Sequence, residues 1–446
     1  MRSARHKMLH RLAGRPLIER SLDLVAQAGA RSTIVVLGYQ ADQVRHALPE
    51  SVDTVIQQPQ LGTGHAVQVA ADRIKASGAE RVLVHLGDVA LVRARSLQRL
   101  VETGVGPESP VALLSAEVSD PHGYGRVVRA ADGSVGHMVE EADATDEERA
   151  VREIWSGAML FWTPWLWHNL ARLPRSPKGE YYLPELVNLA RAEGLGVRAV
   201  RTEDEQEVQG VNDRLQLAEA EVILRQRTLD ALMRSGVTIV DPVTTFIEPE
   251  VEIAPDTVIQ PGCHLLGKTR IAGDCEIGPN TYARDSEIGA GSRVWLSVLE
   301  SATVGERVSI GPFSHLRPGA VIDDEAMLGN YAEVKNSRIG AHTQMHHFSY
   351  VGDAEVGARV NVGAGTITVN FSSETGAKSR TIVDDDASLG SDTLLIAPVH
   401  VSAGAMTAAG ALVTRDIPAG EVWIGAPARP YRRRKDYPAE PSADAP

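Results

Sequence analysis

Aromatic residues are scarce in this 446-residue chain, with five Phe, six Trp and nine Tyr. A large core of packed rings is therefore excluded, and the 40 Gly favour a turn-rich, small-residue architecture instead. Cysteine is nearly absent. Cys263 and Cys275 are the only two, which excludes a disulfide-stapled scaffold and reads as a pair of reduced thiols in a cytoplasmic protein. No run reaches the roughly 18 apolar residues of a membrane helix, and Met1 to His6 leads into no signal-peptide core. Positive charge is not in excess either. Forty-five basic against 58 acidic residues give a net charge of −13 with both signs dispersed, which argues against nucleic acid or an anionic membrane as a partner.

What the chain has is a period. From about Glu252 to Thr414 an aliphatic residue recurs at every sixth position. One run is Val304, Ile310, Leu316, Ile322, Leu328 and Val334; another is Leu389, Leu395, Val401 and Val413, with Thr407 between. Small or slim residues sit four places after each anchor, as at Val308, Ser314, Ala320, Ala326 and Ala332. Neither a helix nor an ordinary strand has this period. A short fixed repeat predicts a solenoid in which each repeat buries its face against its neighbours.

Residues 1–210 read differently. Ile34–Gly38 and Val82–Asp88 are short aliphatic runs ending in or next to Gly, separated by segments of helical spacing at 16–29, 64–77 and 95–103. Such alternation predicts a parallel α/β sheet with ligands beyond the carboxyl ends of its strands, where Gly87 and Asp88 fall. Residues 211–236 predict a linker with one long helix ended by Ser235-Gly236, the solenoid occupies 237–436, and 437–446 reads as a disordered Pro/Ala/acidic tail.

Short motifs follow in a fixed order: Gln57-Gln58-Pro59-Gln60-Leu61-Gly62-Thr63-Gly64, Gly87-Asp88, Gly123-Tyr124-Gly125-Arg126, Gly179-Glu180-Tyr181-Tyr182 and Gly210-Val211-Asn212. With the solenoid behind them, they resemble the bifunctional N-acetylglucosamine-1-phosphate uridylyltransferase/glucosamine-1-phosphate N-acetyltransferase family from Met1 to about Thr414. The resemblance implies a nucleotidyltransferase domain, a helical linker and a left-handed parallel β-helix of hexapeptide repeats. It also implies synthesis of UDP-N-acetylglucosamine for cell-wall precursors, and a homotrimer with acetyl sites between subunits.

By that resemblance Asp88 and Asn212 hold Mg²⁺, which prefers few protein oxygens and keeps phosphate and water ligands. Lys7 contacts phosphate; Gln57, Gly62 and Thr63 contact uracil, where an amide side chain can both donate and accept. Gly87 belongs to the same nucleotide and sugar site, and Gly125 and Glu140 contact N-acetylglucosamine. There are departures. The family opens with a strand and a Gly-rich loop, L-x-A-G-x-G-T-R-M, whereas this sequence opens at what resembles the Met of that motif. The expectation is a domain without its first strand and phosphate loop, and hence little or no uridylyl transfer. Trp155 stands where the family has Asn, and Leu86 where Tyr is common.

In the solenoid, polar segments interrupt the repeat at Leu316–Gly319, Gly329–Lys335, His346–Asp353 and Asn361–Asn370. They resemble the family's acetyltransferase site. Arg317 and Lys335 match the cations on the substrate phosphate, one a fork and one a point charge. His347 matches the catalytic base, and Tyr350 and Asn361 match sugar contacts. Ala364, Asn370, Ser391 and Ala409 match acetyl-CoA contacts, with Phe371 in place of Tyr and a longer loop at Ser372–Gly376. His346 replaces a family Gly. His342, His346 and His347 invite a zinc reading, but in a six-residue repeat His342 and His347 face differently, and no zinc site is expected. Two other readings compete with the bifunctional enzyme: an acetyltransferase with an inactive N-terminal domain, and a non-catalytic β-helix scaffold.

Overall fold

A computed structural model describes residues 1–435; the predicted tail at 437–446 lies outside them. The chain divides into two compact units, Met1–Leu224 and Arg225–Pro446. The division falls inside the long helix Arg214–Arg234, so the predicted linker helix is present. Its Ala220 packs in a cluster with Leu12, Leu17 and Leu91, and its Leu229 in the apolar core of the second unit.

In the first unit the predicted strands and helices form Ile34–Leu37, Arg81–His85, Leu17–Gln27, Thr63–Ala76 and Ala94–Thr103. The sheet comes in two parts. Ile34–Leu37 pairs in parallel with Asp53–Ile56 only. The larger part has six strands, in which Val197–Thr202 runs parallel to Val111–Glu117. One long strand, Glu153–Trp162, runs antiparallel to both Val111–Glu117 and Arg81–His85. Its residues Ile154, Ala158, Met159 and Phe161 are fully buried. These burials explain why an almost unbroken apolar run occurs there.

The second unit is a β-helix of three sheets, with twelve, ten and nine strands, all pairing in parallel except the closing strand Arg429–Arg433, which runs antiparallel to Glu421–Ile424. Each coil gives one strand of two to four residues to each sheet, and successive coils pair in register: Ile310 with Leu328, Leu328 with Met345, Leu316 with Val334, Ile322 with Ile339. All six anchors from Val304 to Val334 are at most 3% exposed, and so are the small residues four places on, Val308, Ser314, Ala320, Ala326 and Ala332. The repeat in the sequence is thus the inward face, two side chains per flat side. Fully burying a Leu or Ile is worth about 1.5–3 kcal/mol each, and here that gain recurs on every coil.

Corner hydroxyls complete the interior. Ser314 Oγ donates to Gly329 O at 2.6 Å and Thr343 Oγ1 to Gly357 O at 2.7 Å, each reaching the next coil. These two buried hydroxyls are thereby satisfied. Residues 370–380 leave the coil as a loop, which is why Val356 pairs with Val383 far along the chain.

Candidate functional sites

In the first unit the motifs that lie apart in sequence meet in pairs. The loop at Gln57–Thr63 is laced to Glu180–Leu183. Tyr181 N donates to Leu61 O at 2.7 Å, Gly64 N to Tyr181 O at 2.8 Å, and Leu183 N to the Thr63 hydroxyl at 3.0 Å. Gly62 has φ +96°, and a Cβ there would lie 2.7 Å from Tyr181 O; only glycine lets the two segments approach this closely. Gln57 donates from its amide to Gly62 O at 2.9 Å and lies 3.1 Å from His65 Nδ1. The loop is a folded polar rim at the start of helix Thr63–Ala76.

Gly87 and Asp88 follow strand Arg81–His85. Val211 N donates to Asp88 O at 2.9 Å, which joins this strand end to the Gly210–Asn212 motif. Lys7 Nζ stands 2.7 Å from Asp88 Oδ2 and 2.9 Å from Asn212 Oδ1. The donor set fits a hard cation: a carboxylate and an amide oxygen already converge on one positive charge. No group of three or more His, Cys, Asp or Glu able to hold a metal occurs among the described residues. A cation using this pair therefore completes its shell with substrate and water, as Mg²⁺ does.

Glu140 faces the Gly123–Arg126 turn, its carboxylate 3.5 Å from where a Gly125 Cβ would be. Burial pushes its carboxyl pKa up, with Asp143 and Glu185 adding repulsion. Trp155 is tied to the same turn through its backbone, N to Gly125 O at 3.3 Å. Its indole packs against the core containing Val127, Met138 and Met159 and donates to Ala158 O at 3.1 Å. Leu86 closes over Gly157, whose Cβ position lies 3.1–3.2 Å from the Leu86 side chain. Both departures are taken up by packing.

Sequence reasoning passed over His85. Both its ring nitrogens are buried, and burial lowers its pKa to about 4 despite the nearby Asp88 carboxylate and the backbone of Val89, which both favour the charged form. A histidine inside a strand run carries no local sign of this.

In the second unit one corner gathers the predicted residues. Gln344 pairs with Asn361 and Tyr350 with Ile367, so His347 stacks under Ala364 on the next coil. Val362 with Leu389 and Ile367 with Leu394 extend the column to Ser391. Ser388 with Met406 and Leu394 with Leu412 carry it to Ala409. Coils are spaced by about 4.8 Å, so these four positions form a straight track. Beside this track runs a bulky column: Phe313 and Tyr331 stack at 5.3 Å on the preceding coils, and Phe348 is exposed next to His347 on the same coil. After His347 the track is small, Ala364, Ser391 and Ala409, and the column beside it runs Gly365, Asp392 and Gly410. His347 is exposed, and its ring centroid is 6.4 Å from that of His346, which lies 3.3 Å from Gln344. His342 turns elsewhere, to Glu325 at 3.2 Å.

The adjoining sheet carries the cations. Arg317 N donates to Val334 O, which sets Arg317 and Lys335 at equivalent places on adjacent coils. Arg317 pairs with Glu333 at 2.9 Å; that hydrogen bond raises the guanidinium pKa. Tyr350 lies over Gly352, its hydroxyl 2.3 Å from where a Gly352 Cβ would be. Asn361 is exposed on the neighbouring sheet. Asn370 begins the excursion loop, and its amide donates to Asp353, which also accepts from Asn336 at 2.6 Å. Burial raises the Asp353 pKa, but these two amides prevail and hold it low. Phe371 is exposed and bridges to Lys378 across the loop. Asp353 was not picked out from sequence, since Asp at a left-handed corner, φ +49°, reads as an ordinary turn residue.

A family profile described as the MobA-like NTP transferase domain matches residues 1–183. Among full-length relatives, the bifunctional protein GlmU of Halalkalibacterium halodurans is 40% identical over 440 residues, 98% of this chain and 95% of that protein. The bifunctional protein GlmU of Trichlorobacter lovleyi is 43% identical over 425 residues, 94% of this chain and 91% of its own. That of an Exiguobacterium species is 42% identical over 420 residues, 94% and 92% respectively.

Proposed function

The chain belongs to the bifunctional GlmU family, and from that premise we propose which residues carry its two transferase reactions. It makes UDP-N-acetylglucosamine by acetylating glucosamine 1-phosphate and then joining the product to UTP. The observation that carries the assignment is the His347–Ala364–Ser391–Ala409 track beside the Arg317/Lys335 pair.

In acetyl transfer, Arg317 and Lys335 hold the sugar phosphate, and Tyr350 and Asn361 orient the ring. His347 takes a proton as the amine nitrogen attacks the thioester carbonyl. The C–N bond forms, the C–S bond breaks, and CoA leaves as its thiol. General-base assistance of this kind is worth about 10²–10⁴ in rate. The small side chains of Ala364, Ser391 and Ala409 leave room for the acyl-CoA arm, and Asn370 and Phe371 flank it.

In uridylyl transfer, a phosphate oxygen of N-acetylglucosamine 1-phosphate attacks the α-phosphorus of UTP and pyrophosphate departs. Gln57, Gly62 and Thr63 seat the uracil, Gly125 and Glu140 the sugar, and Gly87 gives close backbone approach. Mg²⁺, when bound by Asp88 and Asn212, supplies positive charge where phosphate charge concentrates. Lys7 contributes an ammonium to the same phosphates.

His347 has no hydrogen-bond partner among the described residues of its own chain, and its track lies on an exposed corner. The homotrimer with this corner at the subunit boundary is proposed from the family resemblance; the mass of the assembly in solution tests it. No helix among the described residues is long and apolar enough to cross a membrane, and small sugar phosphates, UTP and acetyl-CoA as substrates support a cytoplasmic location. Incubation with acetyl-CoA, glucosamine 1-phosphate, UTP and Mg²⁺ tests the assignment of both reactions: UDP-N-acetylglucosamine accumulates, whereas a lack of thiol release would overturn the acetyl site.

A further inference from the structure

Asp88 Oδ2 and Asn212 Oδ1 converge on one point, and the atom at that point is the Lys7 ammonium, at 2.7 and 2.9 Å. The backbone behind each of the three groups is held in place. The His6 ring accepts from Met8 N at 3.2 Å and caps the short turn Lys7–Leu9. The Met8 methyl lies 3.0 Å from where a Gly87 Cβ would be, and Ser21 Oγ donates to Gly87 O at 2.7 Å. Asp88 O accepts from Val211 N, and Asn212 N donates to Gln216 Oε1 at 2.7 Å. The backbones that carry the two oxygens are therefore pinned independently of the flexible end of Lys7.

A divalent cation using the same two oxygens sits at about 2.0–2.1 Å from each, in the space the ammonium fills. Two positive charges cannot occupy it together, since repulsion grows steeply below about 4 Å. We infer that Lys7 is a resident counter-cation, which holds the metal seat until a phosphate group draws its ammonium away. This rests on Asp88 and Asn212 being the metal ligands. The side chains of Lys7 and Asp88 keep 30% and 25% of their exposure, so the ion pair is a weak tie and a phosphate dianion is an adequate competitor. Two consequences follow. A divalent cation alone binds poorly, and metal and nucleotide phosphates strengthen each other's binding by the same factor.

Manganese(II) is the probe, with the full chain, no nucleotide, and the electron paramagnetic resonance signal of the free aquo ion as readout. Lys7→Met binds Mn²⁺ about tenfold more tightly than the unaltered chain, a coupling of ordinary size. Lys7→Gln does the same and guards against a fold defect peculiar to one variant. Adding Asp88→Asn to Lys7→Met abolishes the tight binding. Equal or weaker Mn²⁺ binding in both Lys7 variants, with Asp88→Asn still abolishing what remains, overturns the counter-cation and leaves the ligand assignment standing. Binding that ignores Asp88→Asn overturns both.

Discussion

His347 stands one coil before Ala364, in register, because Gln344 pairs with Asn361 ahead of them and Tyr350 with Ile367 behind. An imidazole is thus placed at the foot of a track lined by small side chains, while the adjacent column holds Phe313 and Tyr331 on the preceding coils and Phe348 on its own coil.

Filling the track should act on the acyl donor alone. Ala364→Trp or Ser391→Trp raises KM for acetyl-CoA at least tenfold, while KM for glucosamine 1-phosphate stays within about twofold. Thiol release against each substrate in turn separates the two. Both positions are on the outer corner, so thermal stability stays near that of the unaltered chain.

Arg317→Ala and Lys335→Ala are expected to raise KM for glucosamine 1-phosphate by about 10²-fold, each removing a charge-assisted contact worth about 2–3 kcal/mol. Glu333→Gln gives the opposite sign. It frees Arg317 from its 2.9 Å ion pair, so KM falls.

Gly352→Ala places a methyl 2.3 Å from the Tyr350 hydroxyl. The phenol must swing off the strand, at a cost of about 1–3 kcal/mol. Acetyl transfer falls while the β-helix persists, which far-ultraviolet circular dichroism and a thermal melt can establish together.

His85 makes the first unit acid-sensitive. Its folded pKa is about 4 and its unfolded value about 6.5, so between these values the unfolded state binds the extra proton. The stability His85 gives is therefore complete above about pH 6.5 and is lost as pH falls towards 4. The first unit's thermal transition should weaken by about 2–3 kcal/mol across that window, and His85→Gln should flatten the dependence.

The solenoid was legible in the sequence because its six-residue period is the inward face itself; Leu316 and Val334 are both fully buried. The period also has breaks that local reading misses. Ile339 comes one residue early after Val334, and residues 370–380 leave the coil altogether. In the first unit the motif residues were legible, but their partners were not. Nothing near Gly62 in sequence announces Tyr181 O at its back, nor does Asp88 announce Lys7. Trp155, which stands where the family has Asn, packs its indole against the core. Contacts over such distances are set by the fold and leave no local trace.

One double dissociation bears most directly on the assignment of two reactions to two sites in this chain. CoA thiol release from acetyl-CoA and glucosamine 1-phosphate, and pyrophosphate release from UTP and N-acetylglucosamine 1-phosphate, are measured for His347→Ala and Asp88→Asn. His347→Ala should lose thiol release by about 10²–10⁴-fold and keep pyrophosphate release, and Asp88→Asn should do the reverse. Near-normal thiol release from His347→Ala, or pyrophosphate release indifferent to Asp88→Asn, would contradict it.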